Sequence, residues 1–342
     1  ILIRKHMLRT AENVTYGHPD KVCDQISDAI LDECLRQDSD TRAGIEVIGG
    51  HGEMFITGEV TTTAEFDAEK IAKELYKEIG YEEELKINVN IVKQSPDIAR
   101  GVDTGGAGDQ GIMVGYATNE TEELLPREHV IAHKLARKLE EVRVKGDTEL
   151  AKILLPDGKS QITLDNGNVD TVVISTQHKE GVDQNQLRDW IIDEVVKPIV
   201  SDYKKIFINP AGPFVQGGFE ADAGLTGRKI IVDNYGPQIP VGGGCYSGKD
   251  PSKVDRSAAY MARYLAIEYL KKHNAEKVLV KLAYAIGHPQ PVMATAVVDG
   301  KSIDIEGYDL SPKGIIEKLN LKKPQYRDRA RYGYFIDFDV KA

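Results

Sequence analysis

Apolar residues recur at helical spacing across 24–35, where Ile26, Ala29, Ile30 and Cys34 share a face, acidic residues lie between them, and Pro19 closes the preceding turn. The spacing predicts an amphipathic helix. Alternating patterns at 45–48 and 54–62 predict strands around the turn Gly49-Gly50-His51-Gly52, followed by a helix over 67–79 and a strand over 86–92. From 94 to 111 every periodicity is broken by Pro96, Gly101, Gly105, Gly106, Gly108 and Gly111. A glycine-rich loop of this length usually serves function. Beyond it the pattern predicts a helix at 128–142, strands at 160–164 and 169–177 paired across Asn166-Gly167, and a helix at 184–200. Strands at 205–209 and 229–235, a helix at 257–272, and strands at 277–285 and 292–298 complete the series. Helices and strands mix without strict alternation, which favours α+β over a doubly wound parallel sheet. No internal repeat exists at the level of residue identity.

At 342 residues the chain exceeds one small domain. With 41% hydrophobic and 29% charged residues, its composition is that of an ordinary globular protein. The net charge of -10 argues against binding nucleic acid or an anionic membrane, both of which need excess Lys and Arg. Any phosphate it binds must therefore meet a local basic cluster. Cys23, Cys34 and Cys245 are odd in number and lack metal-ligand spacing, so reduced thiols and a cytoplasmic setting are expected. No window approaches a membrane span, and charges interrupt residues 1–10 where a signal peptide would need an apolar core.

Three clusters could carry chemistry. Gly17-His18-Pro19-Asp20-Lys21 sets an imidazole, a carboxylate and an ammonium just before a helix. A plain helix start would use Asp20 as N-cap and leave His18 solvated. His-Pro-Asp also marks the co-chaperone J-domain, but residues 1–17 are too short and mixed for the basic helix that module needs. The second cluster, Gly242-Gly243-Gly244-Cys245-Tyr246-Ser247-Gly248-Lys249-Asp250, leads to Lys253, Asp255 and Arg256. Gly243 to Lys249 has P-loop spacing, yet Asp250 stands where a P-loop needs Ser or Thr, and Pro237 and Pro240 preclude a strand running into it. Phosphate binding by backbone N–H groups and a lysine remains open beside a mere glycine-rich connector. The third cluster is Gly106-Ala107-Gly108-Asp109-Gln110-Gly111. Lys159 near Asp157, and Arg228-Lys229 after Asp222, add cation and carboxylate pairs in turns. Together these cations could grip a polyphosphate while carboxylates hold its magnesium.

The combination resembles the methionine adenosyltransferase family over nearly the whole chain. The residues that carry the resemblance are Gly17 to Lys21 with Asp24-Gln25-Ile26-Ser27-Asp28-Ala29, Gln94-Ser95-Pro96-Asp97-Ile98, Gly106 to Gly111 and Gly115-Tyr116-Ala117-Thr118. They continue through Gly224-Leu225-Thr226-Gly227-Arg228-Lys229-Ile230-Ile231-Val232-Asp233, Gly242 to Gly244, Ser247 to Pro251 and Lys253 to Tyr260. The resemblance implies three similar α+β domains about a pseudo-threefold axis, at 4–100, 105–217 and 218–342. It implies a homodimer with active sites between subunits, often paired into a homotetramer; with no nucleic-acid or membrane partner expected from the charge and hydropathy, its partners would be its own copies and its substrates. His18, Asp157, Lys159, Phe214, Arg228, Lys229, Cys245 and Lys249 would surround ATP. Among them His18, Lys159, Arg228, Lys229 and Lys249 would act in catalysis. Glu59, Gln94, Asp109 and Lys253 would surround L-methionine, with Asp222 between the substrates. Asp20 and Asp255 would hold magnesium, two ions per site, and Glu46 a potassium ion; residues 94–109 would include a gating loop.

The implied reaction joins ATP and L-methionine into S-adenosylmethionine and splits the triphosphate to pyrophosphate and phosphate. Thioether sulfur has no proton to lose, so the step needs in-line alignment with the ribose C5′ rather than a general base. The demand falls on the triphosphate leaving group, whose bridging oxygen His18 and the cations can stabilise. Departures from the family pattern are Pro213 where Arg usually precedes Phe214, Cys245 for Ala, Tyr334 for His, and a short stretch between Val102 and Gly106. Two alternatives are a regulatory subunit that has lost turnover and a P-loop NTPase or kinase. The first would have shed its cations, which here are all present, and the second would release ADP.

Overall fold

A computed structural model describes residues 7–93 and 105–338. Within them the strands form three four-stranded sheets. The first contains β1 (Leu8–Val14), β6 (Leu154–Asp165), β7 (Asn168–His178) and β8 (Lys205–Ile208), in that spatial order. The second has the order β4 (Lys86–Val92), β3 (Glu53–Thr61), β2 (Arg42–Gly50) and β9 (Gly224–Leu225). The third runs β12 (Lys301–Asp304), β11 (Met293–Val298), β10 (Lys277–Tyr284) and β5 (Gly111–Thr118). Each sheet borrows a strand from far away in the chain: Leu8 pairs with Asp165, Gly224 with Gly49, and Gly111 with Tyr284. No sheet is complete within one of the three chain segments expected from the sequence.

Hairpin turns explain the local pairings. Asn166 and Gly167 both have positive φ, as a two-residue turn between β6 and β7 requires. Gly111 and Gly115 hide β5 from a pattern of apolar positions. At Gly115 a Cβ would stand 1.9 Å from the carbonyl oxygen of Ala262, so glycine allows β5 to lie directly against a helix.

The helices that position the site are α1 (Pro19–Gln37), α2 (Ala68–Ile79), α3 (Arg127–Lys145), α4 (Glu149–Ile153) and α5 (Gln184–Ile191). They are followed by the single turns α6 (Gly218–Ala221) and α7 (Ile230–Asp233), the long α8 (Val254–His273), and the short α9 (Pro312–Lys318) and α10 (Tyr326–Ala330). One apolar core joins α1, α2 and α8 to the second and third sheets; a smaller one lies between α3, α4, α5 and the first sheet.

Three expectations need correction. Residues 229–235 are not a strand, because Asp233 N–H donates to the Lys229 carbonyl and Asn234 caps Ile230, closing α7 despite the β-branched run. Buried Lys21, 2.6 Å from Asp233, fixes that turn in place, an instance of tertiary context overriding strand propensity. The helix over 184–200 ends early: α5 widens into a π turn at Ile192–Val196, where Lys197 N–H donates to the Ile192 carbonyl ahead of Pro198. Finally, α1 is not amphipathic toward solvent. Every residue from Pro19 to Asp28 is buried, acidic ones included.

Candidate functional site

Helix α1 is capped by His18, not Asp20. The His18 ring accepts a hydrogen bond from Asp20 N–H at Nδ1 (3.2 Å), and Pro19 occupies the first helical position, where no N–H is needed. Burial, then the charges of Lys229, Lys159, Lys21 and Arg228, push the His18 pKa down to about 2. The ring is therefore neutral, and its 3.9 Å approach to Asp20 is no ion pair. With Nδ1 accepting, its proton sits on Nε2, which makes Nε2–H a donor.

The loop ahead of α1 lies on β6. Thr15 donates to the carbonyls of Gly158 and Pro156, and a Cβ at Gly17 would fall 2.4 Å from the Pro156 oxygen. This contact sets Asp157 and Lys159 beside His18. Asp157 is buried, accepts from Gly218 N–H (3.0 Å), and has its pKa pushed up to about 6 by burial. Lys159 is exposed. On the other side Asp20 accepts from Leu225 N–H (2.9 Å), pairs with Lys229, and lies 3.4 Å from the Arg228 guanidinium. Asp222 is exposed nearby, its charge adding to the upward shift at Asp157. Phe214, in the segment after β8, is held at both backbone groups by His178: Phe214 N–H donates to His178 Nε2 (3.1 Å), and His178 N–H donates to the Phe214 carbonyl (2.9 Å).

A second cluster surrounds the glycine-rich loop. Lys249 Nζ lies 2.6 Å from Asp255, whose other oxygen accepts from Gly244 N–H (3.0 Å). Gly244 permits this, since a Cβ there would stand 3.0 Å from Lys249 Nζ. Lys253 pairs with Asp250 (3.0 Å). Glu46 sits exposed on the outer face of β2, yet desolvation by nearby protein, with Asp24 and Glu59, lifts its pKa against the pull of Lys249. Glu59 stands opposite Gly44, whose missing side chain makes room for it. Asp109, Gly242 to Gly244 and Asp255 line an open cleft of about 850 Å³.

The two clusters touch where Cys245 packs on Gly227, at which a Cβ would come 2.4 Å from the cysteine Cβ. Burial pushes the Cys245 thiol up, away from reactivity. The loop is no P-loop: residues 248–250 run along β2, with an antiparallel bridge from Lys249 to Gly44, and α8 starts only at Val254. Thus His18, Asp20, Asp157, Lys159, Asp222, Arg228 and Lys229 form one group, while the hydrogen bonds of Phe214 run to His178 rather than to any of these. Glu46, Glu59, Asp109, Cys245, Lys249, Lys253 and Asp255 form the other. Gln94 and most of the expected gating loop lie outside the described residues.

A ladder of carboxylates runs along α1 at every fourth position. Asp20 receives Leu225 N–H, Asp24 receives Gly227 N–H (2.8 Å), Asp28 receives Gly248 N–H (2.8 Å), and Asp32 receives Gln325, Tyr326 and Arg327 N–H groups. The ladder pins the segments bearing Arg228, Lys229 and Lys249 to one helix. Its signal was present as i, i+4 spacing of Asp across a helix start.

Comparison with known proteins decides the family. Residues 6–100 match the N-terminal domain of S-adenosylmethionine synthetase, 104–214 its central domain and 216–341 its C-terminal domain. This chain belongs to the S-adenosylmethionine synthetase family. An S-adenosylmethionine synthase of Brachyspira hyodysenteriae is 43% identical, over 97% of this chain and 93% of that protein. Those of Prochlorococcus marinus and Pseudothermotoga lettingae are each 45% identical, over 95% and 96% of this chain respectively and 93% of each relative. The three interlaced sheets are this family's α+β architecture. Among the described residues no helix is long and apolar enough to cross a membrane.

Proposed function

We propose that this transferase forms S-adenosyl-L-methionine from ATP and L-methionine and then cleaves the bound triphosphate to pyrophosphate and phosphate. The observation that carries the reading is the geometry at His18, whose Nδ1 accepts from Asp20 N–H and so leaves Nε2–H to donate, beside Lys159, Arg228 and Lys229. In the first step the methionine sulfur bonds to C5′ of ATP and the C5′–O5′ bond breaks, its electron pair remaining on the triphosphate. No proton moves. A neutral donor suits the developing charge on that oxygen because it needs no charge of its own, while the lysines and Arg228 neutralise the chain of phosphates. The same cations then make the triphosphate a target for water.

Asp157 and Phe214, with Cys245 across the clusters, complete the ATP contacts; Glu59, Gln94, Asp109 and Lys253 bind methionine, and Asp222 lies between the substrates. Magnesium fits the donor set: Asp20 and Asp255 offer hard carboxylate oxygens, each now neutralised by a lysine that an arriving polyphosphate would attract. Two such ions per site would supply further positive charge to the phosphates. Glu46, exposed beside Lys249, would hold potassium. The domains divide at 4–100, 105–217 and 218–342. Two subunits form a homodimer, able to pair into a tetramer, in which the His18 cluster of one faces the Lys249 cluster of the other. Exposed apolar side chains on the second and third sheets, Ile48, Phe55, Ile112 and Met293, support such an interface. Three unpaired thiols suit the cytoplasm.

Product analysis with ATP, methionine, magnesium and potassium tests this. S-adenosylmethionine, pyrophosphate and phosphate are expected, with loss of turnover in EDTA and a weakened potassium response in Glu46→Gln. Release of ADP, or turnover independent of methionine, would overturn the reading.

A further inference from the structure

Tyr334 lies 85 positions from Lys249 in the chain, yet its hydroxyl sits directly beneath the loop that carries that lysine. The phenol is buried and donates to Asp28 Oδ2 (2.9 Å), so its oxygen is left to accept from the Ser247 hydroxyl, with which it is in close contact. Asp28 Oδ1 accepts from Gly248 N–H, and Arg256 lies 2.8 Å from both Asp28 oxygens. A directed relay therefore runs from Ser247 through Tyr334 to Asp28, and Asp28 holds the next residue as well. The two residues before Lys249 are both tied to it. On its other side the loop is held by β2: Ile45 N–H donates to the Gly248 carbonyl and Asp250 N–H to that of Ala43. Gly248 has φ +78°, and a Cβ there would stand 2.0 Å from the Ile45 oxygen, so only glycine lets the loop lie this close to β2. The relay holds the opposite side. Tyr334 is itself fixed by its N–H to the Asp233 carbonyl (3.2 Å), with Lys21 and Arg256 at 5.7 and 5.4 Å from its ring.

We propose that Tyr334 is a positioning residue for Lys249, acting through the Ser247–Tyr334–Asp28 relay to aim the ammonium at the substrate's polyphosphate. The inference rests on the reading of Lys249 as a polyphosphate ligand. Phe at 334 would keep the ring and its contacts with both cations and lose only the relay; His would retain one donor and one acceptor in its place.

The test is a double-mutant cycle on the full-length enzyme, with kcat and KM for both substrates and thermal denaturation of every variant. Tyr334→Phe should lower kcat for S-adenosylmethionine formation and for triphosphate hydrolysis by about tenfold, the scale of one lost hydrogen bond, with the methionine KM unchanged. Tyr334→His should recover most of that loss. In a Lys249→Ala background Tyr334→Phe should cost nothing further, because its effect passes through the lysine. A full tenfold loss in that background, or parental kcat in Tyr334→Phe, would overturn the proposal. Near-parental activity in Lys249→Ala alone would instead overturn the site reading on which it rests. Should Tyr334→Phe fail to fold, Ser247→Ala removes the other end of the relay, and the same cycle with Lys249→Ala decides by the same outcomes.

Discussion

Asp20 and Asp28 stand two turns apart on the same helix, and each meets an arginine, yet they belong to different kinds of structure. Asp28 and Arg256 are wholly excluded from solvent, and the guanidinium lies 4.3 Å from the Tyr326 ring. Asp20 is equally buried, but its partners reach outward: the Arg228 side chain is 50% exposed and that of Lys229 17%. Buried partners have nowhere else to go. Exposed ones can turn to a ligand, since a partner in water is bound by little net energy. What separates a structural carboxylate from a functional one on α1 is thus the freedom of its cation, not the chemistry of the pair.

The sharpest way to break this contrast is to delete each carboxylate. Asp28→Ala leaves Arg256 charged, buried and unpaired, and should cost about 3–5 kcal/mol of stability, read by urea denaturation. Asp20→Ala leaves the Leu225 N–H without its acceptor but frees cations that reach outward, and should cost about 1–3 kcal/mol, less than Asp28→Ala, while abolishing most activity. Equal stability losses would erase the distinction. Next in size is His18→Ala, expected to lower S-adenosylmethionine formation about 100-fold or more while retaining part of the hydrolysis of added triphosphate. Synthesis within a few-fold of the parent would reduce His18 to a helix cap.

A subtler effect concerns histidines in the core. Burial holds His129 neutral, with its pKa lowered to about 3, and His133 likewise to about 4. The folded values lie below the unfolded one, so their contribution to stability is complete above about pH 6.5 and is lost as pH falls toward them, by up to about 1.4 kcal/mol per pH unit for each. Asp32 and Asp157, both raised to about 6, work in the opposite sense over the same range. Comparing parent with His129→Gln isolates the histidine: the variant's acid limb between about pH 4 and 6 should be flatter by one such increment. Superimposable limbs would contradict it. The smallest effect is expected at the exposed Lys73–Glu69 pair on α2, where Lys73→Ala should leave the thermal denaturation midpoint indistinguishable from the parent's.

The chemistry was more legible in the sequence than the architecture. His18, Asp20, Lys159, Arg228, Lys229 and Lys249 stand in short runs around glycine and proline, where residue type alone suggests phosphate binding, and the structure gathers them into two clusters. The interlaced sheets were hidden because β1 finds its partner about 150 residues later, and no local pattern encodes such a pairing. The acidic face of α1 suggested contact with water because its backbone partners lie some 200 residues away. By contrast, the early end of α5 was readable: Pro198 cannot continue a helix. Tyr334 is in sequence only a departure from the family pattern; its role follows from Ser247 and Asp28 meeting at its hydroxyl.

In the proposed homodimer, one ATP would be gripped by the His18 cluster of one subunit and the Lys249 cluster of the other. Co-expression of differently tagged His18→Ala and Lys249→Ala chains, followed by tandem purification of the mixed dimer, tests it directly. In that dimer one site collects both defects and the other collects none. The purified mixed dimer should form S-adenosylmethionine at about half the parental rate, while each mutant homodimer remains nearly inactive. A well-folded mixed dimer as inactive as the homodimers would mean that both residues serve a site from the same chain, and would contradict the account.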